Sequence, residues 1–98
     1  MANLRPETTH LPFVVWVSQR AGAQHDARVK VAQSARVNPS EMGVYSVRPF
    51  AHIAGPRLTT KDEQLLEDWI GKNSTVLVAF WDAQIEYTED LPEQIQAV

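Results

Sequence analysis

The stretch Thr60 to Trp81 constrains this chain more than any other. Thr60-Lys61-Asp62-Glu63 has the form of a capping box. In such a box the threonine hydroxyl accepts from the N–H three residues on, and the glutamate carboxylate reaches back to the N–H of the cap. Asp62 and Glu63 also set negative charge against the positive end of the helix dipole. Leu65, Leu66, Trp69 and Ile70 follow on one helical face, with Gln64, Glu67, Asp68 and Lys72 on the other. Gly71 and Asn73 are stop signals, so this helix is expected to end there. Ser74 then caps a second segment, in which Leu77, Phe80, Trp81 and Ile85 make a new stripe. Its opening, Thr75-Val76-Leu77-Val78, suits a strand as well as a helix. The short Gly71–Ser74 link favours a helical hairpin. Two tryptophans and a phenylalanine on that hairpin need a sheet or a second subunit to bury them.

The sheet should come from the residues before it. Met1 to Pro12 is polar, holds two prolines and shows no periodicity, which predicts a flexible arm over 1–12 and a single α+β domain over 13–98. Phe13 to Ser18 is the strongest strand signal and is apolar on both alternating faces. Gln19 to Asp26 is a loop. Ala27 to Gln33 alternates, with Val29 and Val31 on one face and Arg28 and Lys30 on the other. Val44 to Phe50 alternates again, with Tyr45 and Val47 facing inward and Ser46 and Arg48 outward, and Pro49 marks an edge or an end. His52 and Ile53 extend this strand after a bend. Asp90-Leu91-Pro92-Glu93 opens a short C-terminal helix, with Leu91, Ile95 and Val98 on one face.

The expected fold is therefore α+β: a small antiparallel three-stranded sheet, then a helical hairpin packed on one face (β-β-β-α-α), then a short C-terminal helix. The doubly apolar first strand leaves either its Val14/Trp16 face or its Phe13/Val15/Val17 face short of cover, unless the C-terminal Leu91/Ile95/Val98 stripe provides it. A homodimer with Val14 and Trp16 in the contact supplies it.

Composition narrows the function. With 98 residues, one core leaves little room for an elaborate active site. The chain has no cysteine, which excludes disulfides, thiolate metal sites and cysteine catalysis. No apolar run approaches membrane-spanning length, and no signal-peptide pattern is present, so a cytoplasmic protein is expected. Charge is segregated. Met1 to Leu58 carries seven bases against three acids, a balance of +4. Thr59 to Val98 carries two bases against nine acids, a balance of −7.

His10, His25 and His52 lie too far apart for a helical metal motif, and no cofactor fingerprint can be assembled from four glycines. Ser18, His25 and Asp26 supply the residue types of a hydrolase triad around one loop. Neighbouring His and Asp side chains seldom face each other, however, and no nucleophile-elbow motif surrounds the serine. Arg28, Lys30 and Arg48 can share the solvent face of the sheet, with Arg20 and His25 in the adjoining loop. Such a set suits an acidic protein or nucleic-acid phosphates. The plainer alternative is an amphipathic sheet whose long cations cover apolar neighbours.

Three segments resemble known sequences: His25 to Val31, Leu65 to Ile70, and Leu77 to Trp81. Together they are similar to small uncharacterised bacterial and prophage proteins, in which a strand opens with a histidine and a helical hairpin ends in an aromatic–tryptophan pair. They also resemble a domain-of-unknown-function family found beside toxin–antitoxin genes, whose strand carries a histidine–X–histidine–valine motif. Ala27 stands here where that second histidine would be. The resemblance spans residues 13–85 and implies no activity, so no functional residue is carried over from it.

The expectation is a small non-enzymatic interaction module, of accessory, antitoxin or phage-encoded inhibitor type, binding a protein or nucleic acid as a homodimer. Its expected partner-binding residues are Arg20, His25, Arg28, Lys30 and Arg48, with no cofactor and no metal. The alternative is a small hydrolase or metal-dependent enzyme using the His25-Asp26 loop.

Overall fold

The computed structural model describes residues 2–18, 26–32, 42–82 and 91–98. They form β1 (Ala2–Leu4), α1 (Pro6–Thr9), β2 (Val14–Val17), β3 (Arg28–Ala32), β4 (Gly43–Val47), β5 (Phe50–Ala54), α2 (Thr60–Trp81) and α3 (Leu91–Gln94). The strands make one antiparallel sheet in the order β1-β2-β3-β4-β5. This corrects the expected fold twice. The sheet has five strands, not three, and a single long helix replaces the helical hairpin.

The extra strands have local causes. Residues expected as an arm carry β1 and α1. Leu4 pairs opposite Val15 and is fully buried, as is Thr9 at the end of α1. One buried leucine anchors a strand that no periodicity announces. Pro49 ends β4 by turning the chain rather than by stopping the sheet. Val47 faces Phe50 across the Arg48-Pro49 turn, and β5 returns beside β4. Gly55 then bends the chain toward α2 with φ +73, where a side chain would strike the Met42 carbonyl.

The register divides the sheet into two faces, because residues directly opposite each other point the same way. Leu4, Val15, Val17, Val29, Val31, Tyr45 and Val47 belong to one face and are buried in the core. The helix α2 supplies the other half of that core through Leu66, Trp69, Ile70, Leu77, Phe80 and Trp81.

The expected break at Gly71–Ser74 does not occur. Positions 66, 69, 70, 73, 77, 80 and 81 form one uninterrupted inward stripe. Asn73 is part of it and is 1% exposed. Its Nδ2 donates to the Trp69 carbonyl at 2.8 Å and to the Gln96 carbonyl at 2.9 Å. Its Oδ1 accepts from the Gln96 N–H at 2.7 Å. The asparagine therefore clamps the C-terminal segment instead of ending the helix. Gly71 faces open space. A glycine costs a helix about 1 kcal/mol, whereas each large apolar side chain kept buried is worth roughly 1.5–3 kcal/mol. Continuity of the stripe wins.

The cap is also displaced by one residue. Thr59, not Thr60, is the N-cap, and its hydroxyl accepts from the Asp62 N–H at 3.2 Å. The expected C-terminal stripe joins the same core. Leu91 is fully buried, and Ile95 and Val98 pack against the cluster that α2 completes. Among the described residues, no helix is long and apolar enough to cross a membrane.

Candidate functional site

The face of the sheet turned away from α2 is where the sequence placed its basic set. Trp16 on β2 stands opposite Asn3 on β1 and Lys30 on β3. Lys30 in turn stands opposite Val44, and Arg28 opposite Ser46, on β4. Asn3, Trp16, Arg28, Lys30, Val44 and Ser46 thus share one surface. All but the exposed Asn3 are half-buried. Among the described residues, neither Arg28 nor Lys30 has an acidic partner. Among the described residues, two cations without an acidic partner therefore sit on the central strand, with Trp16 opposite Lys30 on the neighbouring strand.

Val14 and Ala32 lie at one end of this same face, opposite each other, and are 6% and 7% exposed. Val14 therefore has little surface to give to a partner. Of the two expected dimer contacts, only Trp16 is accessible.

Arg48 is elsewhere. It occupies the turn between β4 and β5, where its Nε and Nη2 donate to the two oxygens of Asp26 at 2.7 and 3.0 Å. That carboxylate raises the guanidinium above its ordinary range. Arg48 borders a groove of about 450 Å³ with Ser74, Thr75, Val78, Ala79 and Asp82 of α2, so it lies on the helix side of the sheet. The expected trio thus separates: Arg28 and Lys30 stay together, and Arg48 is neutralised apart from them. Arg20 and His25 lie outside the described residues, and so does any geometry linking Ser18, His25 and Asp26. Among the described residues, no three His, Asp or Glu side chains converge as a metal site.

A second polar cluster escaped the sequence reading. Tyr45 is fully buried, and its hydroxyl donates to Glu63 Oε2 at 2.6 Å while accepting from the Leu58 N–H at 2.9 Å. Arg57 Nε donates to the same carboxylate oxygen at 2.7 Å. The Tyr45 ring stacks on Phe50 and meets His52 edge-on, with centroids 5.4 and 5.2 Å away. His52 Nε2 is 2.9 Å from the Gly55 carbonyl. Burial first, then the bond to Glu63, pushes the Tyr45 hydroxyl up to about 12. Each of these four side chains makes at least one hydrogen bond, and the cluster joins β4, β5 and the start of α2. It is a latch between layers. An inward position on an alternating strand was the available signal, since a buried tyrosine requires a hydrogen-bond partner.

A groove of about 580 Å³ between α1 and α2 is lined mainly by Pro6, Leu11, Pro12 and Leu65. Its polar positions, His10, Lys61 and Asp62, form no arrangement with a recognisable reaction. Comparison with known proteins finds no family model, no curated sequence and no solved structure that matches this chain.

Proposed function

We propose that this chain is a non-enzymatic interaction module that holds an acidic segment of another protein on the outer face of its sheet. The observation that carries the reading is the pair Arg28 and Lys30, side by side on β3 with no acidic partner among the described residues, next to the half-buried Trp16 and Val44. An indole and an aliphatic side chain supply contact area, and the cations supply orientation and rate of encounter. A protein partner fits better than a nucleic acid. Nucleic-acid proteins commonly neutralise on the order of six to ten phosphates, whereas this face offers two cations on a chain of net charge −3. A cysteine-free chain suits a reducing compartment such as the cytoplasm. An accessory, antitoxin-like or inhibitor role is the kind of work such a module performs.

The test is capture of partners from cell extract, with and without nuclease, by the wild type and by Arg28→Glu/Lys30→Glu. A protein retained by the wild type and lost from the double variant is the expected result. Equal retention by both overturns the reading. Loss on nuclease treatment alone replaces the protein with a nucleic acid.

A further inference from the structure

We infer that residues 91–98 act as a strap that locks residues 2–11 onto the domain, so that the two segments open together rather than singly. Neither segment holds its shape by itself. β1 is three residues long, and α1 and α3 are four residues each. One helical turn does not offset the cost of nucleating it. Both segments are therefore kept by what they bury and what they bond to elsewhere. Leu4 and Leu11 fix the first in the core, and Leu91 fixes the second. The bond between the two segments runs from the Val98 N–H to the Thr9 carbonyl at 3.1 Å.

Burial of Thr9 is what gives that bond its weight. The residue is fully buried, and its hydroxyl accepts from the Leu11 N–H at 3.0 Å. Its carbonyl, at the last position of α1, needs a partner in the interior. Val98 supplies one. Val98 is itself positioned by Gln96, whose N–H and carbonyl both bind the Asn73 side chain, at 2.7 and 2.9 Å. A run of bonds thus leads from the middle of α2, through residues 96 and 98, to the end of α1. Coupling of this kind is reciprocal, so loosening either segment loosens the other. The consequence reaches the outer face of the sheet. Asn3 on β1 stands opposite Trp16 there. Opening takes Asn3 away from the indole and leaves β2 as the outermost strand on that side. The strap thereby sets how much of Trp16 the face presents, whatever that face binds.

Amide hydrogen exchange of the full chain under native conditions tests this. Val98→Pro removes the donor to Thr9 and leaves Asn73 and Gln96 in place. The Thr9, His10 and Leu11 amides should then exchange about tenfold faster. Asn73→Ala should speed the same three amides, although that side chain bonds to Trp69 and Gln96 rather than to residues 2–11. A role confined to its own neighbours would speed residues 91–98 alone. Amides in β3 and β4 should change far less in both variants. Either variant suffices should the other lose its circular dichroism. Unchanged exchange at Thr9 to Leu11 in a folded variant overturns the inference. So does an acceleration shared equally by β3 and β4, because the two segments would then open only with the whole domain.

Discussion

The Tyr45 hydroxyl donates to Glu63 Oε2 at 2.6 Å, and this bond ties the middle of β4 to the first turn of α2. Removing it should loosen two layers at once. Tyr45→Phe leaves the Leu58 N–H without its acceptor and deprives Glu63 of a charge-assisted bond. The expected loss is about 1.5–3 kcal/mol, read from denaturant unfolding.

The same latch makes stability depend on pH in two windows. The Tyr45 hydroxyl, and after it Arg57, holds the Glu63 carboxyl below the usual glutamate range against the opposing effect of burial. A carboxyl depressed in the folded state stabilises above its unfolded value, about 4.3. That contribution is lost as pH falls through the folded value. Tyr45 is the reverse case. Pushed up to about 12, it stabilises below its unfolded value, about 10, and loses that contribution as pH rises toward 12. Melting temperature should therefore fall on both sides of a plateau, and Tyr45→Phe should flatten both arms. The ultraviolet absorbance titration of the wild type should show a phenolate step near 12 that the variant lacks. A tyrosine titrating wholly near 10 would show that the hydroxyl is free in solution.

Thermal melts of two neighbouring variants locate the helix cap. Thr59→Ala removes the oxygen that accepts from the Asp62 N–H and should cost about 1 kcal/mol. Thr60→Ala, at the first exposed helical position, should change little. The opposite order of midpoints would return the cap to Thr60.

Gly71 lies within α2 with open space where a side chain would project. Gly71→Ala should stabilise the protein by about 0.5–1 kcal/mol, because alanine narrows the unfolded ensemble and favours the helix. A lowered melting point would mean that the backbone breaks at this residue.

Asn73→Ala removes three hydrogen bonds and leaves the Gln96 N–H without its acceptor. A cost of about 1–3 kcal/mol is expected. Hydrogen exchange should speed up for residues 91–98, which that side chain pins to α2, well before it does in the central strands. Uniform protection in the variant would deny the clamp.

Local physics determined much of this protein from sequence alone. Alternation placed β3 and the inward sides of Val29, Val31, Tyr45 and Val47, because a strand that buries one face must repeat every second residue. The stripe Leu66, Trp69 and Ile70 placed the first half of α2, and the acids of its first turn marked its start to within one residue. The pairing of Arg28 with Lys30 on one face followed from the same period.

Only the tertiary structure decided the rest, and in each case the deciding partner was distant in the chain. Asn73 reads locally as a helix end, yet Gln96, 23 residues away, makes it an interior residue. The stripe through position 73 was in phase all along, but an asparagine counts as inward only when something buried awaits it. Leu4 became a strand because Val15 offered it a partner. Arg48 is off the basic face because it falls in the turn after β4, where Asp26, 22 residues before it, pairs with its guanidinium. Periodicity reports which way a side chain points within its own element. Long-range hydrogen bonds and ion pairs decide where that element runs on and which charges stay free.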